Sequence, residues 1–128
     1  ANDGEMVKPR YVDHIISADG QKVKNFDKES LGTVMSESEA NTLTELMKGV
    51  VQGGTAVSLS DLPYNIAGKT GTADHGNEGE TPHSWFVGFS NADDPDIVIA
   101  VVAENGGYSS EVAVPIAKQV FEAYYAQQ

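Results

Sequence analysis

The chain contains no cysteine, which excludes disulfides and thiolate catalysis and is compatible with either a reducing or an oxidising compartment. Basic residues are scarce: 8 Lys and Arg stand against 19 Asp and Glu, a net charge of −11 that opposes phosphate backbones and anionic lipid surfaces. Nucleic acid is therefore not an expected partner. Long apolar runs are missing too. The longest, Ile97 to Ala103, is too short to cross a bilayer, and no stretch reads as a signal peptide, so any membrane anchor is expected outside this chain. Internal repeats and low-complexity tracts are absent. What remains is 128 residues with 40% apolar and 8% aromatic content, enough for one domain with a real core.

The first third reads as an arm over residues 1–35, built on a hairpin. Tyr11 to Ile16 and Lys22 to Phe26 flank Asp19-Gly20, a pair that tolerates positive φ in a turn. Its modest apolar content predicts a solvent-facing ribbon, with His14 as a lone surface residue. Ser36-Glu37-Ser38-Glu39 then forms a capping box, in which the Ser36 hydroxyl accepts from the Glu39 N–H and the Glu39 carboxylate reaches back to the Ser36 amide. Ala40, Leu43, Leu46, Met47, Val50 and Val51 follow at helical spacing. Gly53-Gly54 predicts a left-handed stop, and Gly53 to Pro63 reads as a loop.

Three strands are expected at 64–73, 84–90 and 96–104, the last two joined by the turn signal Asn91 to Pro95. Their order implies an antiparallel meander. Ile97 to Ala103 is apolar at both alternating sets of positions, which predicts a central strand covered on both faces. A terminal helix carries Val112, Ile116, Val120 and Tyr124 on one stripe with Ala113, Ala117 and Phe121 beside it, and Pro115 fits its first turn. The fold class is α+β: a three-stranded antiparallel meander covered by a C-terminal helix, with an N-terminal hairpin arm and one capped helix.

Chemistry concentrates in Gly68-Lys69-Thr70-Gly71-Thr72-Ala73. A phosphate-binding loop would need glycine five positions before Gly68, where Pro63 stands, and a helix after Thr70, where strand and polar loop are expected. The other reading is a Lys-Thr-Gly element on a strand lining an acyl-transfer site. Lys69 offers a positive charge to a substrate carboxylate and to the hydroxyl network around a nucleophile. Thr70 and Thr72 supply directional hydrogen bonds to that carboxylate. Gly71 lets the substrate lie against bare backbone, and the Thr72 main-chain N–H can meet a developing oxyanion.

Nearly the whole chain resembles the C-terminal half of the transpeptidase domain of penicillin-binding proteins, with a leaning towards class B. The segments that carry the resemblance are Val7 to Val12, Leu46 to Val51 with Gly53-Gly54-Thr55-Ala56, Ala67 to Ala73, His83 to Phe89, Ala100 to Gly107 and Val114 to Ala117. The family implies an extracytoplasmic enzyme that cross-links peptidoglycan stem peptides through a serine acyl-enzyme and is inhibited by β-lactams, with no cofactor. Lys69, Thr70 and Gly71 match its third active-site motif, and Thr72 the oxyanion position that follows. One departure matters: no serine here has lysine three residues later, and no Ser-x-Asn triplet occurs. The nucleophile and its activating lysine are thus expected in a preceding half, without which the chain is expected to be inactive. The resemblance further implies that the strand at 96–104 has lost a neighbour and can pair with that half or with a second copy. The alternatives are a non-catalytic module binding peptides or β-lactams, and a scaffold domain.

Two other groups have bland readings. Asp74, His75, Glu78, Glu80 and His83 gather metal-capable side chains in one loop, but their spacing fits no compact zinc signature and a rim over a substrate groove is expected. Trp85, between apolar neighbours, is expected in the core.

Overall fold

The computed structural model describes residues 1–74, 76 and 79–127. They fall into two compact units, Asn2–Ala40 and the remainder from Asn41 onward.

The first unit consists of two nested antiparallel pairs. The inner one joins β2 (His14–Ile16) to β3 (Lys22–Asn25) around the expected Asp19-Gly20 turn, with Gly20 at φ 83° and the Gly20 amide on the Ser17 carbonyl at 3.0 Å. The outer pair, β1 (Glu5–Val7) with β4 (Ser30–Thr33), has no counterpart in the sequence reading, because segments of three or four residues carry too little periodicity to register. Ion pairs brace the ribbon, Lys8 to Glu29 at 2.8 Å and Arg10 to Asp13 at 3.0 Å. His14 is not alone, since its Nδ1 lies 2.9 Å from an Asp13 carboxylate oxygen.

Helix α1 (Glu37–Gly53) starts at the predicted box: the Ser36 amide donates to Glu39 Oε2 at 2.8 Å and the Glu39 amide to Ser36 Oγ at 3.3 Å. It does not end in a left-handed residue. Neither Gly53 nor Gly54 has positive φ. The chain leaves by a tight approach instead, with the Gly54 and Ala56 amides both on the Val50 carbonyl at 3.1 and 3.2 Å; a Cβ on Gly54 would lie 2.8 Å from that oxygen. The expected loop then contains a 3-10 turn at Val57–Leu59, because Ala56 and Leu59 are both buried and draw the segment onto the core. Of the predicted helical stripe, Val51 is buried and Met47 packs on a small cluster with Ala67, Phe89 and Ala92, whereas Leu43 and Leu46 stay exposed.

Strands β5 (Ala67–Ala73), β6 (His83–Ser90) and β7 (Ile97–Ala103) form the predicted antiparallel meander in the order β5-β6-β7. Pairing is in register throughout, with Lys69 opposite Val87 and Val87 opposite Ala100. Helix α2 (Ala113–Tyr125) covers one face, where Phe86 and Ile99 meet Ala113, Val114, Ala117 and Phe121. The buried stripe of α2 is thus the Ala113, Ala117, Phe121 row. Ile116 and Val120 of the neighbouring row are each 39% exposed, because small alanines allow the helix backbone to approach the sheet more closely than β-branched side chains would. Pro115 lies in the first turn as expected. The buried Ser84 hydroxyl of β6 accepts the Ala113 amide at 3.1 Å, replacing a local N-cap with one supplied by the sheet.

The Phe86 ring lies across two glycines. A Cβ on Gly68 would come within 2.5 Å of it and one on Gly88 within 2.8 Å, so both positions on this face need a bare Cα. The opposite face departs from expectation. β7 pairs with no strand beyond β6 among the described residues, and Val98, Val102, Trp85 and Val87 are all exposed on that face, so β7 is covered on one side only. Its two-sided apolar pattern is left without a second cover.

Tyr125 closes the far end. Its hydroxyl reaches both Asp96 carboxylate oxygens at 2.7 and 2.9 Å and Ser90 Oγ at 2.7 Å, while its ring stacks on Tyr64 at 3.9 Å between centroids. The Tyr125 hydroxyl, followed by Ser90 and Asn91, holds the Asp96 carboxyl below the usual value of 3.8.

Phe86→Ala should lower the unfolding free energy by about 3–5 kcal/mol in chemical denaturation, as a fully buried ring is replaced by a cavity. Because the folded form of Asp96 is the stronger acid, its contribution is complete at neutral pH and is lost as pH falls through the folded value. Tyr125→Phe should therefore lower the melting temperature by a few degrees at neutral pH and by much less in strong acid, as read by thermal melts across that range.

Candidate functional site

Alternation along β5 decides what the motif presents. Lys69 and Gly71 lie on the face of Val87 and Trp85, whereas Thr70 and Thr72 lie on the face of Phe86 and Ser84, beneath which α2 packs. The four residues share a strand edge, since β5 pairs only with β6 among the described residues, but their side chains do not share one face. The sequence reading assigns Lys69, Thr70 and Thr72 to one substrate carboxylate, and alternation sets the ammonium and the two hydroxyls on opposite faces of the strand. A period of two places an ammonium above the strand and two hydroxyls below it, so a common ligand would have to lie at the edge itself.

Lys69 is exposed, and its Nζ donates to the Thr70 main-chain carbonyl at 2.6 Å, which folds the ammonium back along the strand. Thr70 is only 7% exposed and its hydroxyl lies 2.6 Å from the Thr55 hydroxyl. Thr72, which is exposed, is 3.5 Å from the buried Ser109 hydroxyl. Gly71 faces Trp85, and a Cβ there would sit 3.3 Å from that of Trp85. Trp85 itself is 40% exposed rather than in the core: Ala67 and Phe89 at one end of this face are buried with Met47, but the end that carries Trp85 has no cover among the described residues. The strand edge therefore has an ammonium and an indole on one side and two hydroxyl pairs on the other.

Thr55 and Ser109 were not singled out from sequence. Thr55 follows the glycine pair that ends α1, within a segment that carried the family resemblance, but nothing in its spacing linked it to Thr70. Ser109 sits in the turn before α2 and gave no signal at all. Of the loop carboxylates and histidines, His75 and Glu78 lie outside the described residues. Asp74 accepts the Gly76 amide at 3.0 Å and His83 Nδ1 accepts the Asn105 amide at 3.0 Å. Among the described residues no group of three or more metal-capable side chains comes together.

A free strand edge bearing Lys-Thr-Gly-Thr on a helix-backed antiparallel sheet is the arrangement to set against known proteins. The penicillin binding protein transpeptidase domain matches residues 1–122, and the chain belongs to that family. It is 35% identical over 109 residues to the peptidoglycan D,D-transpeptidase PbpA of Mycolicibacterium smegmatis, covering 84% of this chain and 22% of that protein. Among solved structures, the D,D-transpeptidase domain of a peptidoglycan glycosyltransferase from Eggerthella lenta superposes with a TM-score of 0.84 at 34% identity, covering 99% of this chain and 30% of that one. Penicillin-binding protein A of M. tuberculosis, solved as a ceftriaxone acyl-enzyme, gives 0.83 at 30% identity over 95% of this chain and 29% of that one. The chain thus spans between a fifth and a third of the length of these relatives.

Gly68→Ala should displace the Phe86 ring and loosen β5 against β6. The expected result is a loss of about 1–3 kcal/mol in denaturant unfolding, with amide exchange accelerated in residues 67–73 before the rest of the sheet.

Proposed function

We propose that this chain is the part of a peptidoglycan D,D-transpeptidase that binds the substrate carboxylate and supplies the oxyanion donor. Residues 1–128 then form a C-terminal portion of the transpeptidase domain, with 1–35 as its arm. The observation that carries the reading is Lys69-Thr70-Gly71-Thr72 on the free edge of β5, in a chain whose family match extends over residues 1–122. Lys69 places a full charge at the edge, and the Thr70 and Thr72 hydroxyls give direction to a carboxylate arriving there. Gly71 keeps the strand flat beneath the acyl group. The Thr72 amide stabilises the oxyanion as the carbonyl becomes tetrahedral.

The attacking serine, the lysine that takes its proton and the Ser-x-Asn element are supplied by sequence outside these residues, as no serine here has either partner. The chain alone is inactive on this reading. The peptidoglycan stem peptide and β-lactams are ligands of the complete domain, which works at the extracytoplasmic face of the bacterial cell membrane. The ceftriaxone acyl-enzyme of penicillin-binding protein A supports β-lactam reactivity for the complete protein. No helix among the described residues is long and apolar enough to cross a membrane. The open edge of β7, with Val98 and Val102 exposed beside it, is where the missing part docks or, in its absence, a second copy pairs.

Incubation with a fluorescent penicillin should label the complete protein covalently and leave this chain unlabelled. Lys69→Ala in the complete protein should slow labelling on the order of a hundredfold. Covalent labelling of the isolated chain would overturn the division of the site. Reversible binding by the isolated chain, abolished by Lys69→Ala, would instead favour a recognition module without catalysis. Sedimentation of the isolated chain as a monomer at high concentration would remove the β7 pairing.

A further inference from the structure

We propose that Thr55 is a positioning residue for the carboxylate end of this site, an inference that rests on the reading of the Lys69 to Thr72 edge given above. The two hydroxyls of Thr55 and Thr70 are 2.6 Å apart, a short and well-formed bond. Each hydroxyl carries one proton and two acceptor lone pairs, so the pair consumes one proton internally and leaves one to give away. A carboxylate accepts but cannot donate, and it needs that remaining proton pointed outward. An unpartnered Thr70 hydroxyl would rotate freely. We take Thr55 as the donor: its proton fills one lone pair of the Thr70 hydroxyl and leaves the Thr70 proton for the carboxylate.

Thr55 can do this because its own backbone is held on both sides. The Gly54 and Ala56 amides converge on the Val50 carbonyl, the Val57 amide bonds the Gly54 carbonyl at 3.2 Å, and Ala56 is fully buried. A Cβ on Gly54 would lie 2.9 Å from the Val50 Cα, so the segment already runs close against the end of α1. The second hydroxyl pair is different. Thr72 and Ser109 stand 3.5 Å apart, at the limit of a hydrogen bond, and Thr72 is left free to adjust to a ligand. One threonine is thus locked and the other is adaptable, and the lock is Thr55.

The test uses the complete protein that carries this chain, with benzylpenicillin and its methyl ester as probes, the ester lacking the anion. Thr55→Val should reduce the acylation rate constant for the free acid about tenfold, the scale of one hydrogen bond to a charged group, and leave the ester within about twofold. Thr55→Ser, which keeps the hydroxyl, should retain the acid-to-ester ratio. If the valine variant does not fold, the same ratio is read on Thr55→Ala. A ratio unchanged on removal of the hydroxyl, whether both rates fall together or neither does, overturns the proposal, as does a serine variant that behaves like valine. Thr70→Val separates the two levels. If it collapses the ratio while Thr55→Val does not, the positioning role alone fails; if it too leaves the ratio unchanged, the carboxylate reading of the edge fails with it.

Discussion

The packing of one ring against two bare Cα atoms sets the geometry of the larger unit. Phe86 can lie flat across β5 and β6 only because Gly68 and Gly88 flank it, and the flattened ring is what α2 closes over with Ala113, Val114, Ala117 and Phe121. Any side chain at either glycine would lift the helix or part the strands. The glycine that precedes Lys69 therefore belongs to the core, while the lysine that follows it belongs to the surface. Structural and chemical demands meet in adjacent residues of one strand.

That adjacency gives the motif one nearly buried side and one exposed side. Thr70 is nearly buried, clasped by a hydroxyl from the segment after α1, and Lys69 on the other side of the same backbone remains in solvent. Strand alternation places the charge on one face of β5 and the two hydroxyls on the other. An edge strand is ordinarily a liability for a folded protein. On the proposed reading, the same unpaired backbone groups face a peptide-like ligand.

Long, strongly patterned segments were legible in the sequence. The capping box at Ser36 and Glu39, the meander, the terminal helix and the placement of Lys69 to Thr72 on a strand all follow from local chemistry. Two kinds of feature were not legible. The first is which of two adjacent apolar rows a helix buries: α2 turns its alanines rather than its β-branched row inward, which depends on how closely the sheet is approached. The second is contact between distant residues of ordinary type, as with Thr55 and Thr70 or Ser84 and the start of α2. Trp85 and the second face of β7 were misplaced for a related reason. Their apolar character predicts a cover that the described residues do not provide.

The exposed part of this face of the sheet also bears on how the polypeptide behaves in bulk solution. Trp85, Val87, Val98 and Val102 give it adhesive character, while a net charge of −11 makes separate molecules repel. Colloidal stability then rests on ionic strength: at low salt the repulsion reaches well beyond the patch, and at physiological salt it decays over about 8 Å. Added electrolyte therefore favours association through the apolar patch, with ionic strength rather than the fold setting how far it proceeds.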